Sequence, residues 1–215
     1  DWFHIDRVRK TSKYIAFAEN ADPFITELGA LLHDIADPKF HEGDERIGPA
    51  KARSFLISEH VDVEITDYIE NIIKYVSFKN KDDIPEYKSK ELEIIQDADR
   101  LDALGAVGIA RAFNYGGFKN RPLYDPDIKP NLNMTKEEYK LSNAPTINHF
   151  YEKLLLLKDM MNTETGKKLA KERHQYMESY LEQFYKEWDF TDHLGMSEKQ
   201  KEQFIKDQLI GMKIK

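Results

Sequence analysis

The chain has 215 residues, of which 40% are hydrophobic and 33% charged, which is enough apolar material for one sizeable core. It contains no cysteine, so disulfides, thiolate metal sites and cysteine nucleophiles are excluded, and a reducing compartment such as the cytoplasm is expected. The net charge is −7, with lysines interspersed among acids as in EKQKEQFIKDQ, which argues against a polymeric nucleic acid as partner. No apolar run approaches the roughly 20 residues that a membrane helix needs.

Helical periodicity dominates from the start. Residues 4–19 place Val8, Ile15 and Ala18 near one face. Asp22-Pro23 predicts an N-cap followed by proline at the first helical position, opening a helix that buries Ile25, Leu28, Leu31 and Leu32. Gly43 interrupts, and Gly48-Pro49 opens a short helix to about Ser58. From Val63, the residues Ile65, Ile69, Ile72, Ile73 and Val76 recur at helical spacing, and the polar stretch FKNKDDIPEYK follows as a loop. Ser89 caps a helix whose apolar face includes Leu92, Ile95 and Leu101.

Residues 116–145 read as a long loop, opening on Gly116-Gly117 and holding Pro122, Pro126, Pro130 and Pro145. A loop of that length within a compact domain is often functional. Helices then cover TINHFYEKLLLLKDMM, Thr165 to Trp188, and Glu198 to about Ile210. No convincing strand alternation, internal repeat or low-complexity segment is present. The expected fold is all-α, a single domain over residues 1–215 with the Gly/Pro-containing loop as insertion or lid. The sequence begins at Asp1-Trp2 with no signal peptide in view, so an N-terminal segment is expected to be missing.

Three stretches carry chemistry. In LGALLHDIADPKFH, the ionisable residues His33, Asp34, Asp37, Lys39 and His41 follow a run of leucines. A polar helix end explains the His-Asp pair alone as well as a metal site does. In DWFHIDRV, His4 heads an amphipathic helix. In IIQDADRLDALGAVGIARAFNYGG, Asp97, Asp99 and Asp102 crowd one helix between apolar residues. A carboxylate beside an apolar stripe requires a cation, whether a metal or Arg100.

Histidine, His-Asp and a later aspartate on separate helices is the pattern H…HD…D. It resembles that of the HD-domain phosphohydrolases. DWFHIDRV, ALLHDIADPKFH, QDADRLDALGAVGIARAFNYGG and TINHFYEKLLLLKDMMNT are together similar to the bacterial YpgQ/YedJ-type hydrolases of that superfamily. That family usually has further residues before the first motif. The resemblance implies an all-α HD-domain bundle and His4, His33, Asp34 and Asp97 as ligands of a single divalent ion. Mn²⁺ is expected, with Fe, Ni, Co and Mg as alternatives.

Asp37, three residues after Asp34, is expected to handle the nucleophilic water unless Asp37-Pro38 merely ends the helix. Lys39 is a candidate phosphate contact or a surface lysine. Arg100, Tyr115, His149 and Lys153 are candidate substrate contacts, with His149 and Lys153 four apart on one helical face. The stripe Phe150, Leu154 and Leu157 is core. The implied reaction is hydrolysis of (deoxy)nucleoside triphosphates to monophosphate and pyrophosphate. The alternatives are a monophosphate, cyclic-nucleotide or alarmone phosphohydrolase, or a non-catalytic nucleotide-binding module. An iron oxygenase would require more histidines. A nucleotide is the expected partner, with a homodimer left open.

Overall fold

Asp1 and Asp22 open the first two helices through their side chains. In the computed structural model, which describes residues 1–36, 44–76, 87–189 and 199–200, α1 spans Trp2–Glu19. Its cap is Asp1, whose carboxylate accepts from the His4 N–H at 3.0 Å. It stops at Asn20, which turns left-handed at φ 53°. Helix α2 (Pro23–Leu32) starts where Asp22 accepts from the N–H groups of Phe24 and Ile25 at 2.8 and 3.0 Å. Such a cap is worth about 1 kcal/mol, and the Asp22-Pro23 expectation is met.

Helix α3 covers Ile47–Ser58, and α4 covers Val63–Tyr75 behind the cap Asp62. Ser89 begins α5 (Lys90–Asp102) by accepting from the Leu92 N–H at 3.1 Å. Helix α6 spans Gly105–Phe118, and α7 (Lys136–Leu141) opens on a capping box of Thr135 and Glu138. Helix α8 (Thr146–Glu152) breaks at Lys153 into a 3-10 helix over Leu154–Met160, and α9 covers Glu164–Trp188. No strand occurs among the described residues. No helix there is long and apolar enough to cross a membrane.

The chain divides into two compact units, Asp1–Gln175 and Tyr176–Lys215. In the first, α1 packs on α2 and α5, α2 also meets α4 and α5, α3 pairs with α4, and α6 joins α5 to α8. Val8, Ile15, Leu56, Ile69, Ile72, Ile94, Ile95 and Leu101 are fully or almost fully buried there. Glu91 locks three of these helices together. It accepts from the Asp22 N–H at 3.1 Å and from the Tyr68 hydroxyl at 2.6 Å. In the second unit the described helical turns stack Trp188 on Phe184, set Tyr180 tilted against the same ring, and pair Lys186 with Glu182.

Three local expectations differ from the structure. The buried alanine near the end of α1 is Ala16, whereas Ala18 is exposed. Helix α2 buries Thr26, Gly29, Ala30 and Leu32, with Ile25, Leu28 and Leu31 only half-buried. The cause is close packing: a Cβ on Gly29 would lie 2.6 Å from Ile95 Cδ1, so the small residues rather than the largest face α5. The loop expected over 116–145 is shorter, because α6 continues through Gly116-Gly117 and 136–141 is helical. Gly116 is a packing residue, since a Cβ there would overlap the Thr146 hydroxyl. The expected polar loop falls mostly in 77–86, outside the described residues, as does nearly all of the expected last helix.

Candidate metal centre

The mutual packing of α1, α2 and α5 brings three side chains to one point. His4 lies in the first turn of α1, His33 is the C-cap of α2, and Asp99 is in the last turn of α5. The His4 and His33 Nε2 atoms are 3.3 Å apart. Asp99 Oδ1 is 3.5 Å from the first and 4.0 Å from the second. The His4 and His33 side chains are 10% and 4% exposed and that of Asp99 is 45%, so the site is closed behind and open at the carboxylate.

The opposite ring nitrogens fix what these atoms are. His4 Nδ1 lies 2.7 Å from Asp102 Oδ2, and His33 Nδ1 lies 2.7 Å from the Ala30 carbonyl. A carboxylate and a carbonyl only accept, so both histidines donate through Nδ1. In the neutral rings each Nε2 then carries a lone pair. Two lone pairs and a carboxylate oxygen converge within 4.8 Å of one another. One proton could bridge only two of the three acceptors. A divalent cation meets all of them, and the donor set of two imidazoles and one carboxylate fits such an ion.

Asp102 is the anchor behind His4. Arg7 binds it with Nε at 2.6 Å and Nη2 at 3.0 Å, and Arg111 Nη1 donates to its side chain and, at 3.2 Å, to its backbone carbonyl. Burial pushes the Asp102 carboxyl up, but hydrogen bonds from His4 and Arg7 and the Arg111 charge outweigh it, holding the group well below the carboxylate range. Carboxylates that fix the tautomer of a ligating histidine commonly sit there. The sequence reading placed Asp102 in the acidic cluster without a role. Its three-residue spacing from Asp99, which puts both near one helix face, was the available signal.

Asp97, expected as a ligand, is placed elsewhere. It is fully buried and accepts at 2.8 Å from the Asn162 N–H, the Thr163 N–H and the Thr163 hydroxyl, with Arg100 Nη1 at 3.5 Å. Two residues are about 200° of helix turn, so Asp97 and Asp99 cannot face the same point. The structure therefore puts Asp97 at the start of α9 and Asp99 at the histidines. Burial raises the Asp97 carboxyl, against the Asn162 and Thr163 hydrogen bonds that favour its charged form. Asp34 follows His33 in the turn after α2, is exposed, and is not among the three converging groups. Asp37, Lys39 and His41 lie outside the described residues.

Arg100, expected at the substrate, instead donates to the Met160 carbonyl at 2.7 Å beside Asp97. Tyr115, His149 and Lys153 do gather. The Tyr139 hydroxyl meets His149 Nδ1, Lys153 Nζ is 6.0 Å from the Tyr139 ring centre, and Tyr115 shares the neighbourhood through Arg121. Burial, then the Lys153 and Arg121 charges, pull His149 down to about 4.

The HD-domain family model matches residues 2–104, which contain His4, His33 and Asp99. YpgQ of Bacillus subtilis is 39% identical over 188 residues, covering 87% of this chain and 83% of that protein. The crystal structure of a HD-superfamily hydrolase from Bacillus thuringiensis is 44% identical, with TM-score 0.70 over 88% of this chain and 86% of its own. The crystal structure of B. subtilis YpgQ in complex with ADP is 38% identical, with TM-score 0.69 over 92% and 91%. On the all-α bundle, the convergent histidines and these relatives together, the chain belongs to the HD-domain family.

Proposed function

We propose that this protein is a metal-dependent hydrolase of nucleotides that cuts (deoxy)nucleoside triphosphates at the α-phosphorus, giving monophosphate and pyrophosphate. The observation that carries the reading is the convergence of the His4 and His33 Nε2 lone pairs with Asp99. The ADP complex of the B. subtilis relative supports a nucleotide as substrate. His4, His33 and Asp99 hold the ion, with Asp34 beside His33 as a fourth ligand. Mn²⁺ is our choice among divalent ions that accept imidazole and carboxylate. When bound, the ion supplies Lewis acidity toward phosphoryl oxygens and an acidified water.

The protein's own groups do the rest. Asp102 keeps the His4 proton on Nδ1, so that Nε2 stays a donor of electrons. Arg7 and Arg111 keep Asp102 ionised, so it does not take that proton. Asp37 accepts a proton from the attacking water as the new P–O bond forms and the bond to the pyrophosphate oxygen breaks. Lys39 contacts a phosphate as a point charge.

The test is a product assay. The protein with Mn²⁺ is incubated with each common nucleoside and deoxynucleoside triphosphate, beside an Asp99→Ala control, and the products are separated by chromatography. Monophosphate plus pyrophosphate, lost in the variant, is the expected result. Orthophosphate as the released product would move the cleaved bond, and no turnover of any triphosphate would sink the reading.

A further inference from the structure

Arg121 is a half-buried cation with no carboxylate partner among the described residues. Its Nη2 donates to the Ser142 carbonyl, while its buried Nε has no acceptor among the described residues. The chain delivers it to this place deliberately. Arg121 N–H returns to the Gly116 carbonyl at 2.9 Å, closing the end of α6, and the guanidinium then sits 5.9 Å from the Tyr115 ring centre. The next residues run beside α8, with Thr146 and Ile147 N–H groups donating to the Pro122 and Leu123 carbonyls at 2.9 and 3.0 Å. That pairing sets Arg121 near His149 and Lys153. Lys119 adds a further positive charge, 5.8 Å from the Tyr115 ring centre.

His149 lies beside this space with its Nδ1 paired to the Tyr139 hydroxyl. Burial first, and then the Glu152 charge, push the Tyr139 phenol up to about 12. The other ring nitrogen of His149, Nε2, has no partner among the described residues. The negative group here is Glu152, whose Oε1 already accepts the Asn131 N–H at 3.0 Å. An unpaired guanidinium edge, an unpartnered imidazole nitrogen and a lysine around two phenols describe a receptor for an anion with several oxygens.

The same helix connects this cluster with the metal centre. Arg111 on α6 touches Asp102, which holds His4. Tyr115 is four residues further on, about 6 Å along the axis on the same face. We propose that Arg121, His149 and Lys153, walled by Tyr115 and Tyr139, form a phosphate subsite that takes the end of a polyphosphate chain lying along α6. The assignment to the substrate's own phosphates rests on the hydrolase reading above. The anion site itself does not.

The two are separated by titrating inorganic tripolyphosphate calorimetrically into the metal-free full chain, in wild type and in the Arg121→Gln and Lys153→Gln variants. Thermal melts check the fold. The expected result is measurable binding by wild type, weakened at least about tenfold by either substitution and restored in part by Arg121→Lys. If Arg121→Gln melts early, Lys153→Gln carries the comparison. No binding by wild type, or equal binding by wild type and folded variants, overturns the subsite. Tripolyphosphate binding without triphosphate turnover keeps the subsite and refutes only the hydrolase reading. Turnover with unchanged tripolyphosphate binding in the variants does the reverse.

Discussion

Replacing Asp97 and Asp99 one at a time by alanine separates two carboxylates that stand two residues apart on α5. Asp97→Ala removes the acceptor for three donors, each at 2.8 Å, and leaves the buried Thr163 N–H and the Thr163 hydroxyl proton without their acceptor, while the hydroxyl oxygen still accepts the Gly166 N–H at 2.9 Å. An unmet buried donor costs roughly 1–3 kcal/mol. With partial relaxation, and Arg100 left without the carboxylate it hydrogen-bonds, the loss comes to about 3–5 kcal/mol. For a domain of this size that lowers Tm by roughly 6–20 °C. Asp99 is half-exposed and lies 3.5 and 4.0 Å from the two histidines. Its removal changes the stability of the metal-free protein by about 0.5 kcal/mol or less. Loss of even an outer-shell partner costs about 10–100-fold in metal affinity, so loss of Asp99 costs at least about 100-fold. Differential scanning calorimetry of the metal-free proteins and Mn²⁺ titration read the two effects separately. An Asp97→Ala protein that melts normally but no longer binds metal, beside an Asp99→Ala protein that binds it fully, would refute this division of labour.

Asp102→Asn weakens Mn²⁺ binding about 10–100-fold by releasing the His4 tautomer, measured by calorimetric titration. Because the folded Asp102 pKa lies below its ordinary value of 3.8, the stability this group contributes is present above that pH and lost as pH falls through the folded value. Acid unfolding of the Asn variant is therefore less steep below about pH 4 than that of wild type. Asp37→Asn lowers kcat by about 10²–10⁴-fold while the metal content of the purified protein is unchanged; equal rates would remove Asp37 from acid–base work. Gly108→Ala forces a Cβ into the Ala103 carbonyl, which is backbone and cannot swing away, and a loss of about 1–3 kcal/mol is expected in a urea melt.

The helices legible in the sequence were those with local causes. Asp22-Pro23 and Ser89 both cap through their own side chains, and the Ile69, Ile72, Ile73 stripe buries itself at helical spacing. The face of α2 was not legible, because it depends on how near Ile95 comes to Gly29, a property of two helices rather than one. Gly116-Gly117 misled for the same reason: a glycine that admits Thr146 looks identical to one that stops a helix. At the site, His4 and His33 followed from the H…HD…D resemblance, since a polar helix end explained the His-Asp pair equally well, and the structure brings them together. Asp97 was singled out for its apolar neighbours. Those neighbours instead mark it as the fully buried partner of Asn162, Thr163 and Arg100, as a simple ion pair with Arg100 would have suggested. A ligand open to a substrate is the half-exposed acid, and exposure is decided by helix phase.

Helix α5 thus reads like a ruler with marks on opposite edges. Asp97 is spoken for by the chain ahead of α9, and Asp99 and Asp102 by the histidine side. Substituting a residue between these marks changes one contact. Inserting or deleting one would turn every later mark by about 100° and detach both edges together. The segment from 97 to 102 is therefore intolerant of changes in length even where it tolerates changes in composition, and drift in this part of the molecule can proceed by exchange but not by gain or loss of residues.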